Sequence, residues 1–361
     1  MEKYRVGIVG ATGMVGQRFI SLLRGHPWFE VTCVAASARS AGKLYKDAVG
    51  ERWTFDWEIP ADVAEMTVVD AANVDEVGAK VDFVFCAVDM KKDEIRALEE
   101  TYARHEIPVV SNNSACRGVE DVPMVVPEIN ADHLAVIEAQ RKRLGSEKGF
   151  IAVKPNCSIQ SYVPALTPLM DFEPDKVSVC TYQAISGAGK TFKNWPEMVD
   201  NVIPYIGGED EKSENEPLKL WGHVENGRIV NAATPVISAQ CLRVASADGH
   251  MAAVSVSFKK KPSMEQIKER WLHYETEAQR LELPSAPKPF LQYFEDPSRP
   301  QTRLDRDFQN GYGVSIGRLR EDKIFDYRFV CLSHNTIRGA AGGGILTAEL
   351  LCRKGYIQRR G

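Results

Sequence analysis

The pentapeptide Lys154-Pro155-Asn156-Cys157-Ser158 sets a cysteine after a β-like run and before a helix-like one. A helix N-terminus carries partial positive charge and free backbone N–H groups. Both lower a thiol pKa and can hold an oxyanion, so this cysteine is placed to serve as a nucleophile. On that context alone a small buried hydrophobe is the competing reading. His250 is the second candidate, in Ser246-Ala247-Asp248-Gly249-His250 between β-like runs over 236–245 and 251–258. That puts the imidazole at a strand edge, fit for general acid/base work, with a core histidine as the alternative. A predicted strand over 176–184 leads into Ser186-Gly187-Ala188-Gly189-Lys190, whose glycines permit close approach of a ligand.

These groups need a scaffold, and the N-terminal half supplies a recognisable one. Tyr4–Val9 reads as a short apolar strand, followed by Gly10-Ala11-Thr12-Gly13-Met14-Val15-Gly16 and a helical pattern with Val15, Phe19, Leu22 and Leu23 on one face. Glycines at this spacing let the chain turn tightly, admit a pyrophosphate to the helix N-terminus and allow close packing of helix on strand. Further β-like runs at 31–35, 67–70, 83–88 and 108–111 continue a βαβ rhythm, so the expectation is a Rossmann-type dinucleotide site. The second strand ends in Ala35-Ala36-Ser37-Ala38-Arg39-Ser40, without the carboxylate that would select a free ribose 2′-hydroxyl. Ser37, Arg39 and Ser40, with Lys43 nearby, suit a 2′-phosphate, which favours NADP. Read otherwise, Arg39 and Lys43 decorate a solvated loop.

The chain has 361 residues, 44% hydrophobic and 26% charged, enough for two domains that each bury a core. A net charge of −4 without a long basic block argues against nucleic acid as a partner. No apolar run reaches the length of a membrane-spanning helix, and Met1-Glu2-Lys3-Tyr4-Arg5 leads into a strand rather than a signal peptide. A cytoplasmic protein with no membrane partner is expected. The eight cysteines lack the close pairs of a zinc site or a disulfide framework, so reduced thiols and no metal are expected. A helix-like stretch over 159–170 follows Cys157. A long helix is predicted from Ser263, with a capping box to Gln266 and a stripe of Ile267, Trp271 and Leu281. Residues 284–300 read as a proline-rich extended connection, and the glycines after Asn335 open an apolar helix that ends near Cys352 and is placed to return to the first domain.

Four segments together resemble the aspartate-semialdehyde dehydrogenase family: the glycine loop Gly10–Gly16, Ser111-Asn112-Asn113-Ser114, Pro155-Asn156-Cys157 and Gln183-Ala184-Ile185-Ser186-Gly187-Ala188-Gly189. Val126-Pro127-Glu128-Ile129-Asn130, Asn201-Val202-Ile203-Pro204, Arg243 seven residues before His250, and the Asn335 segment extend the resemblance nearly end to end. Gly207-Gly208-Glu209-Asp210-Glu211-Lys212 and the Ser37–Ser40 loop are similar to the archaeal and fungal branch.

The resemblance implies an α/β fold: a Rossmann domain over 1–155, completed by the C-terminal helix 337–361, and an α+β catalytic and dimerisation domain over 156–336 of the glyceraldehyde-3-phosphate dehydrogenase-like type. It implies NADPH-dependent reductive dephosphorylation of L-4-aspartyl phosphate to aspartate semialdehyde and phosphate, in the biosynthesis of aspartate-family amino acids, by a homodimer or homotetramer. By resemblance Cys157 attacks to form a thioester, His250 relays protons and Gln183 orients the acyl group. Arg117 would hold the phosphate and Arg243 the substrate carboxylate, with Asn156, Glu209 and Lys212 completing the substrate site. Without the resemblance, Glu209 and Lys212 read as a solvated helix start. Cofactor contacts are implied at Gly10, Thr12, Gly13, Met14, Val15, Gly16, Ser37, Arg39, Ser40, Cys86, Ser186, Gly187 and Asn335. Cys116, next to Arg117, departs from the family pattern and offers a second thiol to labelling reagents. A malonyl-CoA reductase-like thioester reduction, against which Asn156 speaks, and a non-catalytic NADP-binding sensor are the alternatives.

Overall fold

The computed structural model describes residues 2–359. Its first sheet is wholly parallel: β1 (Tyr4–Val9), β2 (Phe29–Ala36), β3 (Val69–Asp70), β4 (Phe83–Cys86), β5 (Val109–Ser111) and β6 (Ile151–Val153), in the order β3-β2-β1-β4-β5-β6. Ile8, Phe85, Val110 and Ala152 are fully buried, as expected of strands covered on both faces. The order reverses beside β1 and β4, which opens a crevice at their C-terminal ends, where a Rossmann sheet takes its dinucleotide. Gly10 makes the turn out of β1 at φ +91, and a Cβ there would lie 2.3 Å from the Ala87 carbonyl oxygen, so no side chain fits.

The second sheet is mixed. Its strands are β7 (Pro174–Gln183), β8 (Val202–Ile203), then, after a separate hairpin of β9 (His223–Glu225) and β10 (Arg228–Val230), β11 (Val236–Val244), β12 (His250–Phe258), β13 (Leu291–Phe294), β14 (Val314–Glu321) and β15 (Tyr327–Ser333). They lie in the order β13-β14-β15-β12-β7-β11-β8. Alternate residues of β7 and β12 are buried, the period of a sheet with one covered face. That face packs on the helices Ile159–Leu166 and Met264–Leu272, where Trp271 meets Phe329 edge to face at 5.2 Å. The other face is open and carries Tyr182 and Val236.

Several expectations change in detail. The Ser263 capping box is present, but the helix stops at Leu272; Thr276 and Gln279 form a second box that starts the short helix Glu277–Arg280, so Leu281 lies outside the first stripe. Residues 284–300 are not simply an extended connection, because β13 within them pairs parallel to β14 and closes the sheet edge. The stretch after Cys157 is α-helical only to Leu166 and continues as a 3₁₀ turn over Thr167–Phe172, with Pro168 at its start. The chain after Asn335 passes through a π-helical turn, Ile337–Ala341, into the helix Gly342–Arg353. This last helix packs on the first sheet. A Cβ at Gly344 would lie 2.9 Å from the Phe19 ring, which stacks on Phe85 at 4.4 Å.

Candidate active site

Cys157 follows β6 and precedes the helix Ile159–Leu166 by one residue, half-buried, as its sequence context predicts. Its Sγ lies 3.4 Å from His250 Nε2. Asn156 fixes the loop: its Oδ1 accepts the Ser158 N–H at 2.7 Å and the Ser158 hydroxyl at 2.6 Å, an Asx turn into the helix. Its Nδ2 donates to both oxygens of Glu209 at 3.0 Å, and its backbone N–H donates to Glu216 Oε2 at 2.6 Å. With its amide committed at both ends, Asn156 holds the loop that presents the thiol.

His250 opens β12, opposite Ser333 of β15, and is fully buried. Its Nδ1 accepts the Ala184 N–H at 3.0 Å, so in the neutral ring the hydrogen sits on Nε2, facing the sulfur. Burial, with the charge of Arg243, holds the imidazole pKa well below its usual 6.5 and keeps the ring neutral. The Ala184 carbonyl accepts from Arg243 Nη1 at 2.7 Å, so the backbone of one residue sets both side chains. Gln183 and Arg243 are register partners on β7 and β11. Gly187 closes over the pair: a Cβ there would lie 2.8 Å from Arg243 Nη1 and 3.0 Å from His250 Nε2.

One face of the helix Glu209–Leu220 organises the rest. Glu209 pairs with Lys212 at 2.7 Å and also receives Gln183 Nε2 at 3.2 Å. Burial raises the Glu209 carboxyl, but Lys212, Asn156 and Gln183 outweigh it and hold it below the usual range. Glu216 pairs with Arg117 Nη1 at 3.0 Å. The buried Lys219 ammonium donates to the carbonyls of Arg117, Val119 and Val122 at 2.7, 2.7 and 2.9 Å, clasping the loop that bears Arg117. Pro217 cannot donate to the Ser213 carbonyl, which instead accepts the Tyr162 hydroxyl at 2.6 Å, tying this helix to the one that follows Cys157. Arg117 itself is buried, with its Nε lacking a hydrogen-bond partner. Glu209 is therefore a buried carboxylate at the site, paired with a half-buried Lys212, and not part of a solvated helix start. Glu216 and Lys219 are the functional residues sequence reasoning passed over. Their signal was a repeat, since Glu209-x-x-Lys212 recurs seven residues later as Glu216-x-x-Lys219.

Residues 5–137 match the family model described as semialdehyde dehydrogenase, NAD binding domain, and residues 166–338 the one described as semialdehyde dehydrogenase, dimerisation domain. The chain is 44% identical to the aspartate-semialdehyde dehydrogenase of Archaeoglobus fulgidus, over 98% of this chain and 100% of that protein. It is also 44% identical to that of Schizosaccharomyces pombe, over 98% and 99%. The chain belongs to the aspartate-semialdehyde dehydrogenase family. The crystal structure of the Candida albicans aspartate-semialdehyde dehydrogenase with NADP superposes with a TM-score of 0.89 at 40% identity, covering 99% of this chain and 100% of that one. Archaeal and fungal relatives are those the Ser37–Ser40 and Gly207–Lys212 segments point to.

The residues present fit the family's dinucleotide. The helix Met14–Leu23 begins at Gly13, without a side-chain cap, so its first N–H groups are free for a pyrophosphate. A Cβ at Gly13 would have Gly10 O, at 3.5 Å, as its nearest neighbour, which leaves that face open. Ser37 and Arg39 are exposed beyond β2, and Arg39 forms no ion pair among the described residues. Asn335 is buried; its Nδ2 donates to Ser186 Oγ at 2.9 Å and its Oδ1 accepts the Gly249 N–H at 2.8 Å, bracing the loops that carry Ser186 and His250. The Cys86 thiol is buried beneath Asn113, whose Nδ2 approaches it at 3.4 Å, so its side chain faces the core at the base of the crevice. Thr12, Met14 and Val15 lie on the glycine turn and the helix start, and Met14, Val15, Ser186 and Gly187 line a cavity of about 280 Å³ that opens over Cys157. Cys116 is buried and its thiol is pushed up by burial and Glu99, which makes it a poor target for thiol reagents.

Proposed function

We propose that Cys157 is the nucleophile that takes the aspartyl group from L-4-aspartyl phosphate, on the single observation that its Sγ lies 3.4 Å from His250 Nε2 in a cavity also lined by Arg117. The chain is an NADP-dependent oxidoreductase whose reaction gives L-aspartate 4-semialdehyde and phosphate. The thiolate adds to the acyl carbon, a C–S bond forms, the C–O bond to the phosphoryl group breaks and phosphate leaves. Bound NADPH supplies the hydride that reduces the resulting thioester. His250 Nε2–H is placed to donate a hydrogen bond to the oxyanion that forms at that carbon. Collapse of that oxyanion reforms the C=O bond and breaks the C–S bond, which frees the aldehyde and the thiolate.

Arg117, with an unpartnered Nε, is assigned the phosphate, and Arg243 the substrate carboxylate. Gln183, beside Arg243 and bonded to Glu209, is assigned the orientation of the acyl group, and Lys212 with Glu209 the remaining polar end of the substrate. The glycine turn with Thr12, Met14 and Val15, the donors Ser37, Arg39 and Ser40, and Ser186, Gly187 and Asn335 would hold NADP(H). Cys86 would contribute through its backbone at the end of β4. Residues 1–155 with 337–361, and 156–336, are the two domains in this reading.

The test is direct. Protein given NADP, aspartate semialdehyde and phosphate should develop NADPH absorbance, and silence from the native protein would remove the reading. Cys157→Ala should lose turnover yet bind NADP. A homodimer is proposed through the open face of the second sheet, where Tyr182 and Val236 are exposed on neighbouring strands. Light scattering should give twice the chain mass, or four times if dimers pair, and Tyr182→Glu should lower it. A cytoplasmic site of action is part of this proposal; among the described residues no helix is long and apolar enough to cross a membrane.

A further inference from the structure

Lys154 is a charge that the proposed chemistry leaves unused. It is 2% exposed and lines the cavity over Cys157, three residues along the same loop. Its stem lies against the start of the last helix, 3.9 Å from the Cβ position of Gly343. Its ammonium donates to the Pro155 carbonyl and forms no ion pair among the described residues. A buried cation without a carboxylate is costly, and a nearby anion relieves that cost.

The acidic groups facing Lys154 are Glu209, Glu216 and Cys157. Glu209 is committed to Lys212, Asn156 and Gln183, and Glu216 to Arg117 and the Asn156 N–H. The thiol is the acid that remains. From its side, Cys157 faces Lys154, Arg117, Arg243, His250 and Glu209. Arg117 is neutralised by Glu216, and Arg243 is turned to the Ala184 carbonyl. His250 holds its Nδ1 as an acceptor for Ala184 N–H, so taking a second proton would break that bond.

We propose that the Lys154 ammonium, rather than an imidazolium of His250, is the counter-charge that Cys157 meets when it ionises to the thiolate. The inference rests on Cys157 being the nucleophile. Burial and Arg117 lower the lysine to about 7, while the sulfur's charge raises it; burial and Glu209 push the thiol up, and Lys154 is foremost among the charges that oppose this. Ammonium with thiolate and amine with thiol hold the same number of protons, so the pair ionises as a unit.

The experiment is the pH profile of Cys157 alkylation by iodoacetamide, read by peptide mass mapping on the full chain, for the native protein and for Lys154→Met, Lys154→Gln, Lys154→Arg and His250→Asn. Lys154→Met and Lys154→Gln should move the inflection up by about one pH unit and slow alkylation at neutral pH about tenfold, since one unit of pKa is a tenfold change in thiolate fraction. Lys154→Arg should stay near the native profile, and so should His250→Asn. Retained NADP binding shows that each variant is folded. An unmoved inflection in both neutral variants, a rise in His250→Asn equal to theirs, or an effect confined to the KM for phosphate would overturn the proposal. Failure of the nucleophile reading is seen separately, as turnover surviving in Cys157→Ala.

Discussion

The backbone N–H of Ala184 donates to Nδ1 of His250 at 3.0 Å, and that bond decides which nitrogen of the imidazole meets the cysteine. The same contact has a consequence for stability. A histidine kept neutral in the fold but free to protonate when unfolded binds more protons in the unfolded chain, so stability falls as pH drops below the usual 6.5. His334, lowered to about 4 by burial and the Arg18 and Arg306 charges against Asp248 and Asp307, and His133, lowered by burial, act in the same direction. Melting temperature should therefore fall between pH 7 and 5. His250→Asn should flatten part of that slope. An unchanged slope would mean that the imidazole is not held neutral.

Glu216 joins Arg117 to the backbone of Asn156. Replacing it with alanine removes two charge-assisted hydrogen bonds and leaves a buried guanidinium unpaired. We expect kcat/KM with phosphate to fall roughly a hundredfold, at about 1.4 kcal/mol per tenfold, with little change in NADP affinity. Steady-state kinetics and a binding titration measure the two quantities. A loss under about twofold would show that Arg117 holds its place without this carboxylate.

Gly187→Ala puts a methyl 2.8 Å from Arg243 Nη1 and 3.0 Å from His250 Nε2, and both side chains are held by Ala184 and cannot yield freely. Turnover should drop at least about tenfold while the melting temperature stays within a few degrees, because the clash lies at the cavity and not in the core. An active variant would mean that the loop moves aside at small cost.

Arg39 is exposed at the end of β2, where no carboxylate opposes a 2′-phosphate. Arg39→Ala should weaken NADP by roughly tenfold or more and leave NAD nearly unaffected. Equal losses for both cofactors would remove Arg39 from phosphate recognition.

Much of this molecule could be read from its sequence, for physical reasons that differ between regions. β1 runs from Tyr4 to Val9 as expected, since a buried parallel strand is a plain apolar run ended by a glycine turn. The place of Cys157 between a strand and a helix was legible because the apolar run before it and the helical spacing after it are both local signals. The end of the helix at Leu272 was missed because Leu281 continued its apolar spacing, while the competing start signal, Thr276 with Gln279, is local and polar. The strand β13 was hidden because prolines on either side read as an irregular segment, and its pairing with β14 is a tertiary fact. Lys154 and Glu216 receive no role of their own from the sequence. Only the fold reveals that one is buried without a carboxylate and the other is shared between two loops.

The helix Glu209–Leu220 bears Glu209, Lys212, Glu216 and Lys219 on one side, each tied to a different part of the site. An inserted or deleted residue anywhere along it would rotate everything beyond by about 100°, turning Glu216 and Lys219 away from Arg117 and its loop in one event. The helix is thus a segment of fixed length. Changes of chain length in this region can be absorbed at the exposed Asn226, in the turn between β9 and β10, where none of these four anchors would lose its phase.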